Sequence, residues 1–134
     1  MSKNTVIRIT RHPLDADREQ FLKSVFGDDV CVVTEDIRYG DDPIAAVKEL
    51  IASTETDGRK VVAIEAQAPF PVTIKLVDQR RDLGVALIRA QFERSEDGRA
   101  IVVGKDDKGR DLLKFSHYEE LVRIQFDTRP LAAR

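Results

Sequence analysis

Short runs of β-branched and aliphatic residues alternate with helix-forming segments over the first two-thirds of this chain. Asp15 and Asp42 stand where two of the helical segments begin, and aspartate is a favoured N-cap residue. Strands that are separated by helices pair in parallel, so the alternation restricts this part of the chain to a layered α/β sheet. The four predicted strands cover residues 5–11, 30–34, 61–66 and 85–92.

Right-handed crossovers between these strands give a Rossmann-like three-layer core with a mostly parallel sheet. The simplest strand order is 2-1-3-4. In that order the chain leaves strand 1 in one direction to form strand 2 and in the other direction to form strand 3. The reversal opens a crevice at the carboxyl ends of strands 1 and 3, where open α/β sheets bind their ligands.

The last third of the chain has a different pattern. The turn sequences SEDG and DDKG separate the runs AIVVG, DLLKF and LVRIQF, which predicts antiparallel β-hairpins. SHYEE, between the last two runs, is expected to form a short helical turn or a bend. A length of 134 residues is typical of one domain, here an α/β core over 1–92 followed by a β-hairpin extension over 93–134.

Composition and missing motifs exclude several classes of protein. The net charge of −2 provides no general attraction to long nucleic acid or to an anionic membrane. No apolar run approaches the roughly 18 residues of a membrane span, so we expect a cytoplasmic chain. The glycine-rich signatures of dinucleotide and NTP sites are missing. Two histidines and one cysteine, far apart in sequence, make a poor zinc site, and we expect no metal or other cofactor.

Three of the predicted strands carry one charge after two apolar residues, in VIR, AIE and LIR. In the 2-1-3-4 order, Arg8, Glu65 and Arg89 are expected to be neighbours on one face of the sheet. Buried charges require mutual pairing, since an isolated one costs several kcal/mol. A structural Arg–Glu–Arg cluster is one interpretation, and an electrostatic floor for a ligand or a dimer contact is the other.

Polar side chains follow strands 1 and 3 at the predicted crevice. Arg11 and His12 end strand 1, and Gln67 follows strand 3. Arginine binds phosphate through its forked guanidinium, glutamine hydrogen-bonds to base edges, and histidine exchanges protons near neutral pH. Helices 1 and 3 also begin at this edge, which favours anions. The other residues expected to contribute are Thr10, Arg38, Tyr39, Phe70 and Lys75.

Each of these residues also has an ordinary structural interpretation. Arg11 is equally typical of a solvated charge at a strand end, and His12 of a loop histidine before a proline. Arg38 lies in a loop that reads as a turn followed by an N-cap. The convergence of several such residues on one crevice favours a ligand site.

Two stretches of the chain resemble the small Rossmann-like proteins of the CRISPR accessory set, the CARF-related ring nucleases. The first is ITRHPLDADREQFLKSVFG, a strand with a polar-His-Pro-Leu tip followed by a helix. The second is AIEAQAPFPVTIKLVDQRRDLGVALIRA, a strand, a proline-broken loop, a helix and a strand that ends in arginine. The resemblance covers about residues 5–90, and the hairpin region 95–134 departs from the compact family pattern.

The resemblance implies a homodimer that binds a cyclic oligoadenylate, usually the tetramer, across the dimer face. It further implies cleavage without metal, by attack of a ribose 2′-OH on the neighbouring phosphate. Carried onto this sequence, Arg11 and His12 are the candidate catalytic residues, and with Thr10 they contact phosphate and sugar. By the same resemblance, Gln67 and the backbone of QAPFP hold the base or ribose. Lys75 is expected to contribute less to binding than these residues.

Two other functions remain open. The chain is also consistent with a non-catalytic sensor of the same nucleotide class, which keeps the pocket but does not turn the ligand over. It is equally consistent with a homodimeric interaction protein that has no small-molecule ligand and uses the hairpins as its contact surface.

Overall fold

The computed structural model describes residues 3–132 and shows a mixed α/β fold with a mostly parallel sheet. A separate antiparallel hairpin follows the sheet, so the predicted combination of an α/β core and a hairpin is confirmed. None of the helices within 3–132 has the length and apolar character needed to cross a bilayer. The strands are β1 (Lys3–Ile9), β2 (Cys31–Glu35), β3 (Arg59–Ala66), β4 (Ala86–Phe92), β5 (Val102–Lys105), β6 (Asp111–Leu113) and β7 (Phe115–Glu120). The helices are α1 (Ala16–Phe26), α2 (Pro43–Thr54), α3 (Phe70–Asp78) and α4 (Arg80–Leu83), with a short 3-10 helix at Glu55–Asp57.

The five-stranded sheet has the order β2-β1-β3-β4-β7. The first four strands are parallel, and β7 adds to the outer edge of β4 in the antiparallel direction. β5 and β6 form the separate hairpin. Since β1 has β2 on one side and β3 on the other, its carboxyl end lies where the chain reverses direction across the sheet.

Local sequence signals set the ends of the first two helices. The Asp15 side chain accepts a hydrogen bond from the backbone N–H of Arg18 at 2.8 Å, which satisfies one of the free donors in the first turn of α1. Asp42 caps α2 in the same way, through the N–H of Ala45 at 3.1 Å, and Pro43 occupies the first helical position. Both predicted N-caps are confirmed.

The sheet buries apolar residues on both faces, as parallel sheets do. One face packs against α1 through Val6, Ala63, Ile88 and Leu22. The other face packs against α2, α3 and α4. The buried core between this face and the three helices consists of Ile7, Ile9, Ile44, Val47, Ile51, Val61, Ile64, Leu76, Val77, Leu83 and Leu87.

The single helix that the sequence predicts between strands 3 and 4 is broken into two. α3 ends at Asp78, and α4 is a separate short helix that ends before Gly84. Gly84 adopts a left-handed φ of 70° that returns the chain toward β4.

Two predictions for the last third are wrong. SHYEE is neither a helical turn nor a bend, because it belongs to β7 and pairs with β4. LVRIQF does not form a strand. β7 is antiparallel to β4, and the last hydrogen bond between them runs from Leu121 N to Leu87 O. Since β4 begins at Ala86, the residues after Leu121 have almost no further length of β4 to pair with.

Arg89 does not join the predicted charge cluster. The register places Glu65 opposite Ile88, and the alternation of the strand then turns Arg89 to the other face, where it is exposed opposite Glu119. Tyr118 from β7 takes the expected place, and its hydroxyl donates to Glu65 Oε1 at 2.7 Å. A shift of one residue in register moves every side chain of a strand to the other face of the sheet. The pattern of two apolar residues followed by a charge therefore gives the wrong face for Arg89 in β4.

Candidate functional site

A cleft of about 270 Å³ lies at the carboxyl ends of β1 and β3. Five residues that the sequence predicts for the site line it together: Thr10, Arg11, His12, Tyr39 and Gln67. The cleft therefore occupies the edge of the sheet where the strand order indicates a ligand crevice.

Thr10 is the buried centre of this group, with only 5% of its surface exposed. Its Oγ1 donates to Gln67 Oε1 at 2.8 Å and accepts a hydrogen bond from the backbone N–H of His12 at 3.1 Å. Since Thr10 occupies the amide oxygen of Gln67, the NH₂ group of that amide remains as a donor for a ligand. Thr10 thus fixes both the Gln67 side chain and the start of the His12 loop.

Backbone hydrogen bonds hold the strand ends in place around the cleft. Thr10 N donates to Glu35 O at 3.0 Å, and Gln67 N donates to Ile9 O at 3.1 Å. These bonds continue the pairing of β1 with β2 and β3 by one residue beyond the strands. The polar side chains consequently stand on rigid backbone, which binding sites require.

Arg11 forms an ion pair with Asp36, with 3.2 Å between Nε and Oδ2. Both side chains are mostly exposed, at 84% and 58%, so the pair contributes about 0–1 kcal/mol at most. The contact engages Nε and leaves the Nη groups of Arg11 for an anion. A phosphate that binds these groups adds charge-assisted hydrogen bonds of about 1.5–3 kcal/mol each and leaves the Nε contact in place.

Tyr39 supplies a hydroxyl to the same wall. Its ring packs against the apolar core, and its OH lies 3.5 Å from the carbonyl oxygen of Gln67. Burial raises the pKa of Tyr39 to about 12. The hydroxyl therefore stays protonated at physiological pH and acts as a hydrogen-bond donor.

A buried charge network lies directly beneath the cleft. Arg8 Nε lies 3.0 Å from Glu65 Oε1, and both side chains are at least 97% buried. Arg8 Nη1 also donates to Thr34 Oγ1 at 3.2 Å and to the carbonyl oxygen of His12 at 3.3 Å. The predicted pairing of Arg8 with Glu65 is confirmed, and the network ties the backbone of the His12 loop to the core.

Three predicted site residues are not brought into the cleft. Arg38 is exposed in the loop after β2, whereas its neighbour Tyr39 turns inward and lines the wall. Phe70, at the start of α3, is 60% exposed. Lys75 is exposed on α3, beside the buried Leu76.

Two charged lining residues, Asp36 and Arg110, are not among those predicted from the sequence. Asp36 follows β2 directly at the carboxyl edge of the sheet, and this position is a signal that the sequence offers. Arg110 reaches the cleft from the turn between β5 and β6. No sequence pattern indicates this contact, because it depends on the direction in which the hairpin leaves the sheet.

Comparison with known proteins does not assign the chain to a family. No protein-family model matches it, and no curated protein or solved structure is significantly similar to it. The interpretation of the cleft therefore depends on the geometry of its own side chains and on their chemistry.

Proposed function

We propose that this protein binds a cyclic oligoadenylate at the cleft and cleaves it, as a ring nuclease of type III CRISPR signalling in the cytoplasm. We assign the α/β core to the Rossmann-like class on the same basis. The observation that carries the proposal is the convergence of Thr10, Arg11, His12 and Gln67 on one cleft at the reversal of strand order.

The side chains suit the parts of a nucleotide. The Nη groups of Arg11 bind phosphate oxygens, and the NH₂ group of Gln67, held by Thr10, donates to a base or ribose acceptor. The Tyr39 hydroxyl donates its proton to the Gln67 carbonyl oxygen, and its oxygen is left as a neutral acceptor on the same wall. A negative net charge does not prevent this binding, because the anion meets a local group of donors.

The proposed reaction is an internal transfer of the phosphodiester. The ribose 2′-oxygen forms a bond to phosphorus while the bond from phosphorus to the 5′-oxygen breaks, which leaves a 2′,3′-cyclic phosphate and a 5′-hydroxyl. His12 takes the 2′-OH proton or returns a proton to the leaving oxygen. Arg11 stabilises the charge that develops on the phosphate oxygens. The transfer consumes neither water nor a metal ion.

The size of the cleft supports a homodimer as the active form. Pockets for drug-sized ligands measure about 300–1,000 Å³, and at about 270 Å³ this cleft accommodates one nucleotide unit rather than a whole ring. A second copy related by a two-fold axis presents the same loops again, which suits a symmetric cyclic ligand.

One observation favours binding without cleavage as a second candidate function. Among residues 3–132, no side chain forms a hydrogen bond with the exposed ring of His12, so no such bond orients this ring before the ligand arrives. A general base is commonly held by a third group. A cyclic-nucleotide sensor requires only the phosphate and base contacts.

The test is to incubate the protein with labelled cyclic tetraadenylate in the presence of EDTA and to follow both binding and linear products. Cleavage that Arg11→Ala and His12→Ala abolish supports the nuclease. Tight binding without products supports the sensor, and no binding overturns both. Arg99→Ala is the matched control, because the Arg99 side chain is about as exposed as that of Arg11 and likewise pairs with a nearby aspartate, Asp97.

A further inference from the structure

The hairpin of β5 and β6 is an arm with a fixed base. Ile101 N donates to Glu93 O at 3.0 Å, and Lys114 N donates to Ile101 O at 2.8 Å, which fastens the arm to the chain just beyond β4. Lys114 Nζ also lies 2.8 Å from Glu93 Oε2. Beyond this base, β5 and β6 pair with each other as an antiparallel hairpin.

The tip of the arm holds Arg110 in a defined direction. Asp106 Oδ1 accepts hydrogen bonds from the N–H groups of Lys108 and Arg110, both at 2.9 Å. Asp106 Oδ2 accepts from Arg110 Nε at 3.0 Å. Gly109, with a left-handed φ of 77°, closes the turn through its N–H to Asp106 O. The turn thus fixes the guanidinium of Arg110 through Nε and leaves its Nη groups available.

Arg11 and Arg110 are held by the same kind of contact. Each guanidinium binds a local carboxylate through Nε, Asp36 for Arg11 and Asp106 for Arg110, and each residue lines the cleft. One comes from the end of β1 and the other from an arm more than ninety residues later in the chain. Two forked donors at one cleft match an anion with several oxygens.

A second turn of the extension provides an internal comparison. Arg99 also follows a glycine in a hairpin turn, and its Nε lies 3.5 Å from Asp97 Oδ2. Both arginines are exposed and paired with an aspartate, but only Arg110 lines the cleft. The local chemistry of the turn alone therefore does not bring an arginine to the site.

We infer that Arg110 is a ligand-binding residue of the cleft and that the β5–β6 arm serves to deliver it to a phosphate of the ligand. This inference rests on the proposed function in one respect, because the ligand is taken to be a phosphate ester. It extends that function by assigning part of the site to the C-terminal extension. The arm sets specificity by requiring a ligand whose phosphate extends from Arg11 toward Arg110.

The experiment compares Arg110→Gln with Arg99→Gln in the full chain. The two substitutions remove the same charge from equivalent turns, so any difference between them reports on position rather than on net charge. Binding of cyclic tetraadenylate, adenosine 3′-monophosphate and inorganic pyrophosphate is measured by calorimetry. The Nε–Hε resonances of Arg110 and Arg99 are followed in the wild-type protein during each titration.

We expect Arg110→Gln to weaken binding by about tenfold or more, and Arg99→Gln to leave it unchanged. The Arg110 Nε–Hε resonance is expected to shift on titration while that of Arg99 does not. Wild-type affinity in Arg110→Gln, with a stationary Arg110 resonance, overturns the inference but leaves the proposed function standing. Binding of only the smaller phosphates, weakened by Arg110→Gln, overturns the cyclic ligand and supports Arg110. Absence of binding to all three probes overturns both.

Discussion

Arg8 Nη1 lies 3.3 Å from the backbone carbonyl oxygen of His12, so a side chain buried in the sheet holds the loop that carries a candidate catalytic residue. The same guanidinium is paired with Glu65, which in turn accepts a hydrogen bond from Tyr118 on β7. The network therefore connects the loop after β1, the central strand β3 and the edge strand of the extension. Arg8, for which the sequence leaves a structural role and an electrostatic role at a ligand or dimer contact open, thus also holds the loop of the candidate site.

Glu65→Gln is expected to destabilise the protein strongly. The substitution keeps the shape of the side chain but leaves Arg8 as an unpaired buried charge, and breaking a buried pair in this way costs about 3–5 kcal/mol. Urea denaturation measures the free energy of unfolding. Glu49→Gln, at an exposed position on α2, serves as control and should change it by no more than about 0.5 kcal/mol. A loss below about 1 kcal/mol in Glu65→Gln would contradict the role of the pair.

The two tyrosines are expected to ionise at a higher pH in the folded protein than in the unfolded chain. Burial raises the pKa of Tyr39 to about 12 from its ordinary value of 10.0. Burial, followed by the Glu65 carboxylate, raises the pKa of Tyr118 further. Because the folded state keeps these protons while the unfolded state loses them near pH 10, stability is fully present below that pH and falls as pH rises toward 12 and beyond.

Ultraviolet absorbance of phenolate checks this prediction. The chain has only two tyrosines, so the folded protein should show almost no phenolate at pH 10, whereas the protein in concentrated denaturant should titrate normally. Tyr118→Phe isolates Tyr39, which should then titrate near 12. An ordinary titration of Tyr39 in that folded variant would show that its ring is not buried as described.

Asp15→Ala is expected to cost about 1 kcal/mol, because it removes the oxygen that caps the Arg18 N–H at the start of α1. The substitution also removes the ion pair between Asp15 and the Arg18 side chain, which is only 16% exposed, so the measured loss includes the contribution of that pair. Thermal or urea unfolding measures the loss. Gln20→Ala, exposed within the same helix, should leave stability within about 0.5 kcal/mol of wild type, and equal effects of the two variants would argue against the cap.

The sequence predicts the α/β core because its signals there are local. Asp15 and Asp42 cap helices through atoms three residues away, and β-branched runs form strands wherever a sheet buries them. Thr10 and Gln67 meet because strands 1 and 3 are neighbours, and parallel neighbours end at the same edge. These relationships follow from element type and chain direction alone.

The remaining features depend on relationships that a single sequence does not encode locally. Arg89 is separated from Glu65 by one step of register between two strands, and register is set by the packing of whole faces. Tyr118 replaces it because β7 extends the sheet, which its polar sequence did not indicate. Arg110 lines the cleft because of the path of an arm, and no spacing in the sequence measures that path.

Thr10→Val is expected to release the Gln67 side chain and the His12 loop from Thr10, while the valine keeps nearly the same side-chain shape at this position. The substitution removes the hydroxyl that donates to Gln67 Oε1 and accepts from His12 N, so the His12 N–H loses its partner and the Gln67 amide loses its anchor. We expect a loss of about 1–3 kcal/mol in the free energy of unfolding. We also expect a change in the side-chain NH₂ resonances of Gln67, whose rotation becomes freer.

Thr56→Val is the matched control for Thr10→Val, because the Thr56 hydroxyl donates to the carbonyl oxygen of Ser53 at the exposed end of α2. If the Gln67 resonances are the same in Thr10→Val and in wild type, Thr10 does not hold the amide, and the donor that the cleft offers to a base or ribose is not preorganised.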